Sequence, residues 1–336
     1  MWRLPGGDVA RSLAGVSTDL AGLEDLAVHK SQLQREGLWV PALQRHLEAG
    51  DTLPEDWKRD LITAISWELH CQETLREISE IVGRHSIPLM TFKGCALAFG
   101  TYRVRGQRVF GDIDIAVPPR FRRRVQELLE EIGFRAASGA TMSRGALSLD
   151  LHDHPLHQLS ILASSHRDWW SEAVPLDPEL GPVLRLKNEH EFLLALLHGS
   201  KHAFSRANWV VDVLVLAWRG DSEVLAQSVT AYHAGRHLWL ASRCLSEWYG
   251  AALPPALEAA SRPPGALDVF THWFARLVLA RRAPDFLGML TPVWAIPSPI
   301  GRVRYLGRAL FPEDSSLCQR LKRLGQRFLE TLALIG

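Results

Sequence analysis

The sequence has few of the features that mark secreted, membrane-spanning and polyanion-binding proteins. Its 336 residues include four cysteines with no Cys-x-x-Cys pair, which excludes a zinc site of neighbouring cysteines and argues against a disulfide framework. No stretch approaches the roughly 18 apolar residues that a membrane-spanning helix needs. The formal net charge is +1, so no overall charge attracts nucleic acid or anionic lipid. These absences predict a soluble, cytoplasmic protein that does not bind membranes.

The remaining composition is that of a globular protein, and its apolar residues follow two periodicities. Helical spacing runs from about residue 20 to residue 83 and returns after about residue 184. Between these regions, short apolar or alternating runs predict a small sheet. We therefore predict an α+β fold with three units: an N-terminal helical segment (1–86), a mixed-sheet core (87–185) and a C-terminal helical domain (186–336). Strands are predicted over 87–92, 109–117, 134–138 and 146–153, and helices over 120–133, 189–204, 209–218, 222–250 and 315–335.

Two aspartates in the second predicted strand are candidate metal ligands. Asp112 and Asp114 point to the same face of that strand because side chains alternate, while the isoleucines between and after them face the core. Carboxylates on one face repel each other unless a cation lies between them, and hard oxygen ligands suit Mg²⁺. Asp150, in a later alternating strand, would complete a site for two metal ions. An Asp-x-Asp triplet alone is weak evidence, and its place within an apolar strand gives it weight.

These residues belong to a longer pattern. It comprises Phe92-Lys93-Gly94-Cys95-Ala96-Leu97, Tyr102, Arg108-Val109-Phe110-Gly111-Asp112-Ile113-Asp114-Ile115 and Leu149-Asp150-Leu151-His152, with a downstream run from Leu194 to Asp212. The pattern resembles the uncharacterised nucleotidyltransferase family of the polymerase-beta-like superfamily over roughly residues 87–216. The resemblance implies a minimal nucleotidyltransferase sheet that binds ATP or another nucleoside triphosphate with two Mg²⁺ ions, or Mn²⁺ in their place.

The resemblance also implies roles for individual residues. Asp112, Asp114 and Asp150 would be the catalytic, metal-binding carboxylates. A Gly-Ser pair that binds the triphosphate elsewhere in the superfamily is replaced here by Gly94-Cys95, so the hydroxyl contact is missing. The residues expected at the nucleotide are Lys93, Gly94, Cys95, Arg108, Lys201 and His202.

The implied reaction is attack by an acceptor hydroxyl or phosphate on the α-phosphate, which transfers a nucleotide (AMP from ATP) and releases pyrophosphate. The acceptor would be a small molecule, a peptide or a protein. The first alternative is a catalytically degenerate nucleotide-sensing or partner-binding module, which the cysteine at position 95 favours. The second is nucleotide addition to RNA, which the balanced charge disfavours; nucleic acid is not an expected partner.

Four further features have both a functional and a structural interpretation. His198, Lys201 and His202 share a helix side and would contact either the nucleotide or a neighbouring subdomain. Asp212, among apolar residues, is expected to pair with a cation as a structural link. The histidines and aspartates of 150–157 offer a separate zinc or manganese site, although their spacing fits no standard zinc pattern. The arginines of 120–124 are either a solvated helix face or a polyanion contact.

Overall fold

A computed structural model describes residues 10–11, 22–102, 104–155, 169–263, 265 and 269–280. Its described helices surround one mixed sheet, so the predicted α+β class is confirmed. The predicted helix over 315–335 lies outside the described residues. The helices are α1 (Leu23–Val28), α2 (Lys30–Glu36), α3 (Trp39–Glu48), α4 (Glu55–Arg84), α5 (Lys93–Gly100), α6 (Arg122–Glu131), α7 (Asn188–Lys201), α8 (Ala207–Arg219), α9 (Ser222–Ala231), α10 (Gly235–Cys244), α11 (Pro255–Ala260) and α12 (Val269–Leu279).

Seven strands form the sheet in the order β3-β4-β5-β2-β1-β7-β6. β2 pairs in parallel with β5 and antiparallel with β1, and β1 pairs in parallel with β7. Three of the strands, β4, β6 and β7, were not predicted, because they are short and lack a clear alternating pattern. The strands are β1 (Leu89–Phe92), β2 (Asp112–Ala116), β3 (Arg135–Ser138), β4 (Thr141–Arg144), β5 (Leu147–His152), β6 (Val174–Pro175) and β7 (Val183–Arg185).

The two faces of the sheet pack against different sets of helices. One face carries Ile113 and Ile115 of β2 and the buried leucines of β5, and these pack against apolar residues of α4 and α6. The opposite face carries Met90 and Phe92, which belong to the larger core formed with α7 to α10 and the N-terminal helices. By alternation, Asp112, Asp114 and Ala116 point to this second face. The acidic residues of β2 therefore face the helical side of the molecule.

Local geometry explains where several helices begin and end. α4 begins after Pro54 with two acids in its first turn, which favours a helix N-terminus, and it ends before Ser86, whose φ is 53°. The helix predicted over 222–250 is interrupted after α9, because the chain turns at His233 with a φ of 52°. A left-handed residue cannot continue a right-handed helix. The boundaries predicted at residues 86 and 185 fall between elements, and the division into three units stays a prediction.

Candidate functional site

Strand pairing sets two of the predicted carboxylates side by side. In the parallel register of β2 and β5, Asp114 lies opposite Asp150 and Ala116 lies opposite His152. One ligand atom each from Asp114, Asp150 and His152 falls within 4.8 Å of the others, a spacing that suits a shared metal ion. We call these three residues the metal trio. Thr141, on β4, donates a hydrogen bond of 2.5 Å to Asp150 Oδ1 and so fixes that carboxylate.

Asp114 is the buried centre of the trio, with 2% of its surface exposed. Its Oδ1 accepts a hydrogen bond from Lys93 Nζ at 2.6 Å, and His152 Nε2 lies 3.1 Å away. Burial alone would raise the pKa of Asp114, but the hydrogen bond with His152 and the charge of Lys93 lower it below its ordinary value. The carboxylate is therefore ionised at neutral pH.

Asp112 lies next to the metal trio, two residues before Asp114 on β2, and the role of Asp112, Asp114 and Asp150 as one group of ligands stays a prediction. Asp112 is the first residue of β2, and its side chain is exposed. Desolvation in the site and repulsion by Asp114 raise the pKa of Asp112. His152 joins Asp114 and Asp150 because it is two residues after Asp150 and therefore lies on the same face of β5.

The turn from β1 into α5 directs a lysine at this group. Lys93 has a φ of 58°, in the left-handed region that residues other than glycine seldom adopt. At Gly94, an added Cβ would lie 2.8 Å from Phe110 Cβ, so only glycine fits there. Packing against the loop before β2 therefore requires a glycine at position 94, even without a contact between this residue and a ligand. The strained turn holds the Lys93 ammonium at Asp114.

A cavity of about 440 Å³ opens in front of these residues. Its sheet wall consists of residues at the start of α5 and of β2 with the loop before it, among them Lys93, Gly94, Asp112 and Asp114. Its helical wall consists of residues from α2, α7 and α8, among them Gln34, Glu191, His198, Asn208 and Trp209. Ligand sites commonly lie between such packed units. The cavity therefore lies between the sheet and the C-terminal helices, and α2 contributes to its wall.

The residues predicted at the nucleotide divide into two sets. Lys93, Gly94 and Arg108 line the cavity, whereas Cys95, Lys201 and His202 are not among the described residues that line it. Cys95 lies in the core on the other face of the sheet, where burial raises the pKa of its thiol well above the ordinary value. Its side chain therefore points away from the predicted triphosphate site.

Lys201 is the last residue of α7, and His202 follows it. Burial and the charge of Lys93 lower the pKa of Lys201 to about 8. The ring of His202 packs 5.0 Å from that of Trp209, which does line the cavity. His198, one turn earlier on the same helix, is the member of the predicted group that reaches the cavity. Burial, followed by the charge of Lys93, lowers its pKa well below 6.5, so the imidazole is neutral at neutral pH.

Arg108 lines the cavity and is held by an acid, and its contact with a phosphate stays a prediction. Its Nε and Nη2 donate to the carboxylate of Asp212 at 2.8 Å each, and Tyr102 Oη donates to the same carboxylate at 2.8 Å. Arg108 is 6% exposed and Asp212 is 3% exposed. The prediction that Asp212 pairs with a cation as a structural link is confirmed. This buried group joins the loop before β2 to α8.

Glu191 on α7 is a cavity residue that the sequence predictions missed. Its Oε2 accepts hydrogen bonds from Arg185 at 2.9 Å and from Thr101 at 3.3 Å, while Oε1 is buried without a hydrogen-bond partner in the described part of the chain. Burial raises the pKa of Glu191 to about 7, against the opposing effect of Arg185. An acid beside the apolar run Phe192–Leu197 is the signal that could have identified it.

The other motifs receive structural roles in the described residues. Asp153 forms an ion pair with Arg122 at 2.9 Å, and the rings of His154 and Trp169 are 6.3 Å apart. His157, the last residue of the predicted separate metal site, lies outside the described residues. Arg123 and Arg124 of α6 form ion pairs with Glu127 and lie on an exposed helix face. Both observations favour the structural interpretations of these segments.

Comparison with known proteins identifies the family. The profile described as "uncharacterised nucleotidyltransferase" matches residues 32–250. The chain therefore belongs to the uncharacterised nucleotidyltransferase family, and the match extends beyond the resemblance seen at residues 87–216 into α2, α3 and α10. No curated protein and no solved structure gave a match. In the described part of the chain, each helix is too short or too polar to cross a bilayer.

Proposed function

We propose that the protein transfers a nucleotide, AMP from ATP, to a hydroxyl or phosphate of a small molecule, peptide or protein and releases pyrophosphate. The observation that carries this proposal is the metal trio beside a cavity large enough for a nucleotide, with Lys93 directed at Asp114. Family membership supports the same reaction class. The buried thiols of Cys71, Cys95 and Cys244 fit the cytoplasm, where triphosphates are available.

The donor set fits a divalent cation. Asp114 and Asp150 supply carboxylate oxygens, which Mg²⁺ prefers, and the imidazole of His152 also suits Mn²⁺. These three residues would hold the ion, with Asp112 beside them for a second one. When bound, such ions neutralise charge on the triphosphate and on the attacking oxygen.

The chain's own groups would carry out the remaining steps. Lys93 would donate a hydrogen bond to a phosphate oxygen, and its hydrogen bond to Asp114 would weaken as a result. The acceptor oxygen would form a bond to the α-phosphorus as the bond from that phosphorus to the bridging oxygen breaks, and pyrophosphate leaves. The proton of an acceptor hydroxyl would pass to Asp150, which Thr141 already orients. Positioning and electrostatic stabilisation supply most of the rate in such transfers.

A nucleotide-sensing or partner-binding module is the second candidate. The orientation of Cys95 favours it, because the turn after β1 presents no side-chain hydroxyl to a phosphate. Such a module would bind ATP in the same cavity without turnover. The two candidates therefore differ in the product and not in the ligand.

The test is incubation with each labelled triphosphate and host-cell extract, comparing the native chain with the Asp112→Asn/Asp114→Asn double variant. A labelled product formed by the native chain and lost in the double variant is the expected result. Pyrophosphate release and ATP calorimetry with Mg²⁺ or Mn²⁺ accompany it. Binding without pyrophosphate release over a broad acceptor panel would support the module and contradict the enzyme.

A further inference from the structure

The cavity has an aromatic end on its helical wall, where α7 and α8 meet. The Trp209 ring lies 5.1 Å from that of His198, and the Arg206 guanidinium lies 5.6 Å from the Trp209 ring centre. All three residues line the cavity. Aromatic rings and guanidinium planes are the groups on which nucleobases stack in proteins, and stacking stabilises each base by about 1–3 kcal/mol.

Next to Trp209, Asn208 lines the same end and carries a buried hydrogen-bonding atom. It lines the cavity, and its Oδ1 is buried without a hydrogen-bond partner in the described part of the chain. A buried polar atom without a partner is costly unless a ligand pairs with it. A side-chain amide can pair with both N6 and N7 of adenine. Asn208 is therefore suited to an adenine base, whose N6 amine would donate to Oδ1.

The N-terminal helix α2 closes this end of the cavity and is fixed to α8. Glu36 Oε2, on a 5% exposed residue, accepts a hydrogen bond of 3.1 Å from the backbone N–H of Ala207, the first residue of α8. An added Cβ at Gly37 would lie 3.1 Å from Asn208 Nδ2, so the amide packs directly against α2. This packing fixes the Asn208 side chain, and Gln34 of α2 adds a second amide to the cavity lining.

We propose that this end is the nucleobase subsite, in which the base stacks on Trp209 and Asn208 selects adenine through its exocyclic amine. The inference rests on the proposed function, because it assumes that the triphosphate lies toward Lys93 and the metal trio. In this orientation the base lies against Trp209 and Asn208, and the phosphates lie against Lys93. Neutral rings and amides recognise a base, and a lysine recognises phosphate.

The first test separates base binding from phosphate binding. Calorimetry with Mg²⁺ would compare ATP with inorganic tripolyphosphate, which lacks a base, on the native chain and on Trp209→Ala. We expect Trp209→Ala to weaken ATP binding at least fivefold and to change tripolyphosphate binding less than twofold, and Trp209→Phe, which keeps a ring, to restore most of the loss. Trp218→Ala is the matched control, because Trp218 lies on the same helix, outside the cavity and 41% exposed.

The second test concerns the choice of base. Inosine triphosphate carries an oxygen where ATP carries the N6 amine, so it cannot donate to Asn208 Oδ1. We expect the native chain to bind ATP about tenfold more tightly than inosine triphosphate, and Asn208→Ala to abolish that ratio. An unchanged ratio in Asn208→Ala would refute the selection by Asn208.

The outcomes distinguish a wrong subsite from a wrong function. If the native chain binds ATP and Trp209→Ala binds it equally well, or loses tripolyphosphate to the same extent, only the subsite is refuted. If the native chain binds neither ATP nor tripolyphosphate with Mg²⁺ or Mn²⁺, the proposed function fails together with the subsite. Near-ultraviolet circular dichroism of each variant checks that a loss of binding does not reflect a loss of packing.

Discussion

The sheet wall and the helical wall of the cavity are built in opposite ways. The acids at and beside the sheet wall come from the neighbouring strands β2 and β5, where alternation and register fix the side of the sheet on which each one lies. The helical wall gathers residues from α2, α7 and α8, with Gln34 and Asn208 far apart in sequence. Local strand geometry places the acids of the sheet wall, whereas tertiary packing brings the residues of the helical wall together. The difference suggests that the chemistry is tied to the strands, while ligand choice lies with the helices.

The largest expected effect is on the sheet wall. Asp114→Asn removes the buried charge at the centre of the metal trio, and we expect nucleotide transfer to fall by on the order of 10³-fold or more, with loss of Mn²⁺ binding. Pyrophosphate release and calorimetry measure both. Asp153→Asn is the control, because Asp153 follows the trio in sequence but forms an ion pair with Arg122. Full activity in Asp114→Asn would show that the sheet wall is not the catalytic side.

The second-largest effect is expected on stability, at the Arg108–Asp212 pair that joins the two walls. Replacing either member of the buried Arg108–Asp212 pair leaves the other charge uncompensated, so Arg108→Met or Asp212→Asn should each lower the free energy of unfolding by about 3–5 kcal/mol. The double variant Arg108→Met/Asp212→Leu should lose less than either single variant. Urea denaturation measures all three. The partly exposed Arg122–Asp153 pair is the comparison, and its loss should cost about 1 kcal/mol or less. Equal costs for the two pairs would contradict the structural role of Asp212.

A pH dependence distinguishes the helical wall from the sheet wall. Since the folded-state pKa of Glu191 is about 7 against an ordinary 4.5, the folded chain retains a proton that the unfolded chain loses between these values. The free energy of unfolding should therefore fall as pH rises from about 4.5 to 7, by about 3 kcal/mol from this group. Glu191→Gln should flatten the urea-denaturation profile over that range. Glu189→Gln, on the same helix with a 22% exposed side chain, should not. If Glu191→Gln leaves the dependence of the unfolding free energy on pH unchanged, the raised pKa of Glu191 is contradicted.

The smallest effect concerns the attachment of α2. Glu36→Ala removes the acceptor of the Ala207 N–H, which should cost about 1–2 kcal/mol and speed hydrogen exchange at Ala207. Glu36→Gln keeps an acceptor and should lie closer to the native chain. Amide exchange by nuclear magnetic resonance measures the local opening. If the Ala207 amide stays equally protected in Glu36→Ala, α2 is held to α8 by other contacts.

The predictions from sequence succeeded where local periodicity carries the information. Alternation predicted that Asp112 and Asp114 share a face of β2, and the burial of β5 alternates, with Asp150 and His152 on its less buried face. The strands β6 and β7 were missed because two or three residues cannot display a period. The pairing of Arg108 with Asp212 could not be predicted, because the two residues are 104 positions apart in sequence and no local pattern joins them.

The sequence by itself determined the α+β class, the family and the acidic strand face, because periodicity and motif spacing are properties of neighbouring residues. The tertiary structure alone decided that His152 joins Asp114 and Asp150, that Cys95 points into the core and that α2 meets α8. Those outcomes depend on which strands pair in which register and which helices pack together, and such long-range contacts are set by burial of the whole core.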